Sequence, residues 1–135
     1  MLIGFLQEEQ FTTTPEALRT NLHAMISSAT SAVFLAWLDS KAVGEATATT
    51  SVGLEYGLSD EMEDLYVFPA ERSSGIARAL IEEVIAWCKN RSVSTILVTV
   101  TPEGEQMHQL LDFYLRQGFT NNRRLIMERS LIEEH

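Results

Sequence analysis

Residues 65–80 have the sequence LYVFPAERSSGIARAL, in which an apolar run ends at Pro69 and a polar turn leads into a helix. Gly75 lies where that helix starts. A helix N-terminus presents unpaired N–H groups and the positive end of the helix dipole, so it attracts anions. A glycine there lets the backbone approach a phosphate without a Cβ atom in the way. The turn is therefore a candidate phosphate site, although an ordinary strand-to-helix bend explains the same glycine.

Two better-known phosphate-binding loops are excluded by the sequence of this turn. It contains no GK[ST] element, so it is not the P-loop of nucleotide-binding proteins. It has one glycine where the dinucleotide-binding fingerprint has three, and position 95, twenty residues further on, is Thr rather than an acid.

The rest of the chain alternates helical and extended patterns around this turn. Apolar spacing predicts helices over 1–10, 15–28, 75–91 and from Met107 to a stop at Gly118, and strands over 31–40, 42–56, 59–68, 94–100 and 123–131. This order predicts an α+β fold in which helices pack on a mixed sheet. With 135 residues and 45% hydrophobic content, the chain is expected to form one domain over 1–135.

Composition narrows the class of partner. Ten Lys and Arg against nineteen Asp and Glu give a net charge of −9, which argues against nucleic acid and favours cationic ligands, although surplus acid also serves solubility alone. No apolar segment reaches the roughly 18 residues of a membrane helix. The single cysteine, Cys88, excludes an internal disulfide and indicates a cytoplasmic protein.

Three segments in order resemble the GCN5-related N-acetyltransferase (GNAT) family. Residues 72–77, RSSGIA, resemble the family's Q/R-x-x-G-x-G/A motif, with Ala77 in place of the commoner glycine. LYVFP, residues 65–69, resembles the end of the family's fourth strand. FYLRQGF, residues 113–119, resembles the F/L-Y-x-x-x-G-F segment after the fifth strand. The match covers roughly residues 30–131.

The resemblance implies a GNAT fold and an acetyl-CoA site. The central sheet would be mostly antiparallel, with its fourth and fifth strands splayed apart to admit the pantetheine arm. The main chain of Leu65, Tyr66 and Val67 would pair with that arm, and the pyrophosphate would be bound by Arg72, Ser73, Ser74, Gly75, Ile76 and Ala77. Family members usually open with a strand before the first helix, whereas this sequence is expected to start inside that helix. Either the start lies late, or a neighbouring subunit covers the exposed sheet edge in a homodimer.

The resemblance also selects catalytic candidates. Tyr114 matches the tyrosine that lies near the thioester sulfur in many family members, where a phenol can protonate the departing thiolate. Glu61 falls where histone-type members place their general base. Glu61 and Glu63 share a face with Leu65 and Val67 unless a bulge intervenes, and they either remove a proton, bind a cationic acceptor or are simply solvated. The alternative for Tyr114 is a core tyrosine on an amphipathic helix, but its position four residues before Gly118, as in the family, favours the functional role.

The expected activity is direct transfer of an acetyl group from acetyl-CoA to a primary amine in a ternary complex. The acceptor is predicted to be a small cation, aminoglycoside-like or polyamine-like. The alternatives are a protein or peptide amine acceptor and a CoA-binding sensor without catalysis. The spacing of His23, His108, His135 and Cys88 matches no metal site, so no metal is expected.

Overall fold

A computed structural model describes residues 14–100 and 105–132, with the backbone alone for 105–108. The chain divides into two compact units, residues 1–99 and 100–135, and each is considered by itself. The helix predicted over residues 1–10 lies outside the described residues. Among those described, no helix has the length and apolarity needed to cross a membrane.

The first described element of this unit is a capped helix, α1, over Pro15–Ser27. Thr14 is its N-cap and accepts a 3.2 Å hydrogen bond from the N–H of Ala17, while Pro15 occupies the first turn. Pro15 costs no hydrogen bond there because the N–H groups of the first turn have no intrahelical acceptor. The predicted start of this helix is confirmed.

Four strands follow in one mixed sheet of order β1-β2-β3-β4. They cover Ser31–Leu38 (β1), Lys41–Gly53 (β2), Gly57–Val67 (β3) and Thr95–Val98 (β4). Neighbours β1–β2 and β2–β3 are antiparallel, and β3–β4 is parallel. A 3₁₀ turn over Pro69–Glu71 and helix α2 over Ile76–Asn90 connect β3 to β4. The expected mostly antiparallel mixed sheet with helices is confirmed.

Helix α2 covers one face of this sheet. Its residues Leu80, Ile81, Val84 and Cys88 are buried. It approaches β2 at Gly44, where an added Cβ atom would lie 3.2 Å from Ile76 Cγ2, from Leu80 Cδ1 and from the carbonyl oxygen of Tyr66. Such distances are tighter than nine in ten real Cβ contacts. Gly44 therefore sets how closely α2 lies against the sheet.

The second unit contains helix α3 over Glu105–Arg116. Gly118 ends it as predicted, with φ of +94° and the N–H of Phe119 donating to the carbonyl of Tyr114 at 3.0 Å. The strand predicted over 123–131 is wrong, because these residues have no regular secondary structure. Their backbone has no strand partner among the described residues, and Leu125, Ile126 and Met127 are exposed. An apolar pattern forms a strand only when another strand satisfies its hydrogen bonds.

Candidate active site

The strands β3 and β4 separate, as the resemblance to the family implies for its fourth and fifth strands. Their pairing runs from Ser59↔Thr95 to Met62↔Val98 and then ends, because β4 stops at Val98 while β3 continues to Val67. Over Glu63–Val67, β3 has no strand partner on this side in the described part of the chain. The unpaired side of β3 over Glu63–Val67, which we call the slot, thus begins where β4 ends.

Two residues of β3 direct their main chain into that slot. The N–H of Phe68 donates to the carbonyl of Val43 at 2.9 Å, so Val67 and Gly44 form a non-hydrogen-bonded pair. The N–H and C=O groups of Val67, and of Leu65 two residues earlier, therefore point away from β2. We call these four groups the open edge. Tyr66, which pairs with Glu45, turns its main chain toward β2 instead.

A bulge in β3 changes which side chains share a face. Ala46 pairs with Leu65 and Ala48 with Met62, so the single residue Thr47 stands opposite two residues, Glu63 and Asp64. Leu65 and Val67 lie on the α2 face with Gly44, whereas Glu61 pairs with Thr49 on the other face. The expectation that Glu61 shares a face with Leu65 and Val67 is wrong because the extra residue reverses the alternation.

The bulge brings three carboxylates together on the face away from α2: Glu61, Glu63 and Asp64, which we call the acidic group. Thr47 donates a 3.1 Å hydrogen bond to Asp64 Oδ2. Burial raises the pKa of Asp64, and the Thr47 bond opposes that rise. The pKa of Glu63 is raised by burial, then by the charges of Glu61 and Asp64. Sequence analysis missed Asp64, because no local pattern marks a bulge.

The turn between β3 and α2 has the backbone that an anion site needs. Ser73 and Gly75 both have left-handed backbones, with φ of +69° and +88°. Gly75 caps α2 without any side-chain hydrogen bond, and an ideal Cβ atom built on it meets nothing within 4 Å. The hydroxyl of Ser74 donates to the carbonyl of Glu71. The first N–H groups of α2, at Ile76 and Ala77, have no intrahelical acceptor, and the position of a Gly75 side chain next to them is open.

Arg72 is bound to the end of β3. Its Nε donates to the carbonyl oxygen of Val67 at 3.0 Å, and its guanidinium lies 5.4 Å from the centre of the Tyr66 ring. The ring of Phe68 packs edge-on against Tyr66 at 6.1 Å between centroids. Arg72 thus links the turn between β3 and α2 directly to the open edge.

Tyr114 belongs to the second unit, where it lies in α3 between two aromatic rings. The centroids of Phe113 and Phe119 are each 5.4 Å from that of Tyr114. Burial raises the pKa of Tyr114 to about 12, so the phenol keeps its proton throughout the neutral range. A group of at least three His, Cys, Asp or Glu side chains able to hold a metal ion does not occur among the described side chains.

A buried acid and thiol lie on the α2 face of the same strand. Asp60 in β3 is fully buried, and the thiol of Cys88 on α2 is the neighbour of its carboxylate. Burial raises the pKa of Asp60 to about 6, against a weaker lowering by the Cys88 thiol. The predicted burial of Cys88 is confirmed. The burial of Asp60 beside this thiol could not be predicted, because Asp60 lies in an otherwise ordinary strand pattern.

Comparison with known proteins identifies this arrangement. The model of the acetyltransferase (GNAT) family matches residues 3–119. No curated protein matches the chain significantly in sequence. Solved structures share the fold at low identity. The aminoglycoside N-acetyltransferase AAC(6')-Iy in complex with CoA has a TM-score of 0.85 and 21% identity over 97% of this chain and 87% of its own.

Two further structures agree. The aminoglycoside 6'-N-acetyltransferase AAC(6')-IG from Acinetobacter haemolyticus has a TM-score of 0.78 and 20% identity, covering 91% of this chain and 86% of its own. An integron cassette protein from the mobile metagenome of Cole Harbour Salt Marsh has a TM-score of 0.81 and 23% identity, covering 98% and 82%. With its family motifs placed on the parting strands and the glycine turn, this chain belongs to the GNAT family of acetyl-CoA-dependent N-acetyltransferases.

Proposed function

We propose that this protein transfers the acetyl group of acetyl-CoA to a primary amine of a small cationic acceptor, aminoglycoside-like or polyamine-like. The amine attacks the thioester directly in a ternary complex. The observation that carries the choice of acceptor is the acidic group, three carboxylates gathered by the bulge beside the slot. Solved structures of this fold include aminoglycoside N-acetyltransferases, which agrees with the proposal.

The co-substrate fits the open edge and the turn. An amide-containing arm lying beside β3 as an added strand would meet the N–H and C=O groups of Leu65 and Val67. The pyrophosphate would be bound by the N–H groups from Ser73 to Ala77, with added charge from Arg72. The side chain of Tyr66, rather than its main chain, is available to this site, because its main chain faces β2.

The acceptor amine must lose a proton before it attacks. A lysine-like amine with a pKa of about 10.4 is neutral only about 0.04% of the time at pH 7, which corresponds to about 4.6 kcal/mol. Glu61, which is exposed, is proposed as the base, directly or through a water molecule. Glu63 is proposed to bind the cationic acceptor, and we add Asp64 to that role.

The departing thiolate needs a proton donor, and by its match to the family segment Tyr114 is proposed for this step. Its pKa of about 12 keeps it protonated, but also makes it a weaker acid than an ordinary tyrosine by about 2.7 kcal/mol. Such a weak acid is suited to donate a hydrogen bond to the thiolate as it forms and to transfer its proton late in the step.

A thiol-release assay tests the function. Acetyl-CoA and the purified chain are incubated with aminoglycosides, polyamines, lysine-containing peptides and neutral amines. We expect release of free CoA thiol with multiply charged small amines and little with the others. Release only with peptides would favour a protein or peptide acceptor. Binding of acetyl-CoA without release by any amine would indicate a sensor.

The proposal also covers the domain organisation, the oligomeric state, the cellular location and the partners of the protein. The two compact units act as one acetyltransferase domain over 1–135, in a cytoplasmic homodimer that uses neither a metal ion nor nucleic acid. Support comes from the net charge of −9 and from the single cysteine. Sedimentation equilibrium would determine the oligomeric state directly.

A further inference from the structure

The contact between Arg72 and Val67 occupies the place where the co-substrate arm is proposed to bind. The carbonyl of Val67 is one of the four groups of the open edge, and Arg72 Nε already donates to it at 3.0 Å. The guanidinium also rests 5.4 Å from the centre of the Tyr66 ring, whose position is fixed by Phe68. In this arrangement the arginine side chain covers part of the slot.

Arg72 also has a second binding partner within its reach. It precedes Gly75 by three residues and so belongs to the turn whose N–H groups would hold a pyrophosphate. A guanidinium binds phosphate oxygens through paired charge-assisted hydrogen bonds, which are stronger than a single bond to a carbonyl. The side chain is exposed, so it can leave its present position without opening the core.

We propose that Arg72 is a latch that couples the two halves of the co-substrate site. In the free protein it closes on the Val67 carbonyl and the Tyr66 ring. When a pyrophosphate binds at the turn, Arg72 moves onto it and frees the Val67 carbonyl for the arm. The inference rests on the proposed function, because it assigns this movement to the acetyl-CoA site.

The latch predicts cooperation between the two halves of the co-substrate when they are supplied as separate molecules, and it predicts that this cooperation depends on Arg72. ADP carries the pyrophosphate, and pantetheine carries the arm. Opening the slot in advance should raise the affinity for pantetheine by about fivefold, the value of one net hydrogen bond. Because coupling is reciprocal, pantetheine should raise the affinity for ADP by the same factor. If Arg72 instead keeps its hydrogen bond to Val67 throughout, pantetheine and ADP should bind independently. The Val67 carbonyl oxygen could then accept a second hydrogen bond, from the arm, beside the one from Arg72.

The test is an NMR titration of the full chain, following the amide of Val67 and the Nε–H of Arg72. In the wild type we expect about fivefold tighter pantetheine binding at saturating ADP, and a shift of the Arg72 Nε–H signal with ADP alone. Arg72→Ala should bind pantetheine about fivefold more tightly without ADP and show no coupling. Arg72→Lys, which keeps the charge but lacks the planar donor, should also bind pantetheine more tightly while retaining most ADP affinity.

Arg78→Ala is the matched control. Arg78 lies in the first turn of α2 but pairs with Glu82 at 3.2 Å, so its loss removes the same charge without touching Val67. We expect weaker ADP binding with coupling intact. Independent binding of the fragments to the wild type, or weaker pantetheine binding by Arg72→Ala, would overturn the latch while leaving the function standing if acetyl-CoA still binds. If acetyl-CoA itself does not bind, both proposals fall.

Discussion

Thr47 and Asp64 are joined across β2 and β3 by a 3.1 Å hydrogen bond at the point where β3 carries one residue more than β2. The bond holds Asp64 on the face away from α2, beside Glu61 and Glu63. A neutral donor to one carboxylate oxygen favours the charged form and so opposes the effect of burial. The acidic group is therefore a product of the bulge.

Replacing the proposed base tests what Glu61 does. If it removes the amine proton, Glu61→Gln should lower kcat/KM at pH 7 by about 10²-fold or more, and the loss should shrink toward pH 10 as the free amine becomes neutral. Steady-state rates from pH 6 to pH 10 measure this. An equal loss at all pH values would show that Glu61 only binds the acceptor.

Tyr114→Phe should slow thiol release by at least about tenfold while leaving acetyl-CoA affinity within about twofold, because it removes a donor to the leaving group and little else. Single-turnover rates and calorimetric titration separate the two effects. Tyr56→Phe, in the turn between β2 and β3, is the control and should leave both unchanged. Equal rates for Tyr114→Phe and wild type would refute the acid role.

Gly75→Ala should weaken acetyl-CoA binding by about tenfold or more. The left-handed φ of +88° costs an alanine about 1–2 kcal/mol, and its Cβ atom would enter the open space where the pyrophosphate is proposed to bind. Gly57→Ala is a closely matched control, since Gly57 also has a left-handed backbone, with φ of +69°, and open space around it. Both variants should lose similar stability, and only Gly75→Ala should lose affinity. Equal affinities would make Gly75 an ordinary bend.

Asp60→Asn should stabilise the protein at neutral pH. The pKa of this buried carboxyl rises from 3.8 to about 6 on folding, which corresponds to about 3 kcal/mol. Because the folded-state pKa is the higher one, the carboxyl disfavours folding as it ionises: the penalty is absent below pH 3.8, grows as the pH rises, and is complete above about pH 6. The nearby groups are Cys88 on α2 and Glu61 on β3.

Urea unfolding at pH 3.5 and pH 7.5 measures this effect. Asp60→Asn should gain up to about 3 kcal/mol over wild type at pH 7.5 and almost nothing at pH 3.5. Glu83→Gln, at an exposed position on α2, is the control and should change little at either pH. A gain of equal size at both pH values would point to packing rather than ionisation.

The sequence predicted those helix ends at which a particular residue type caps or stops the helix. Thr14 and Pro15 locate the start of α1, Gly118 locates the end of α3, and the turn before Gly75 locates the start of α2. Each of these residues satisfies a backbone requirement within a few positions of itself, so neighbouring residues suffice to recognise it.

Features that depend on pairing between distant segments could not be predicted in the same way. The bulge at Glu63 and Asp64 is a mismatch in register with β2, and nothing in the alternation of either strand marks it. Residues 123–131 have a strand-like composition, but composition does not supply the partner strand. The burial of Asp60 depends on α2, Ile76–Asn90, which packs over β3 and begins sixteen residues further along the chain.

The absence of a side chain at Gly44 makes this residue a spacer between two binding surfaces. Ile76, in the first turn of α2, rests on Gly44, and Gly44 pairs with Val67 at the open edge. Adding a single methyl group there would require Ile76, Leu80 or the Tyr66 carbonyl to give way by a few tenths of an ångström. If the start of α2 is what moves, the proposed phosphate site lies farther from the strand, and compounds whose linker is one bond longer or shorter than that of CoA would measure the tolerance of the site.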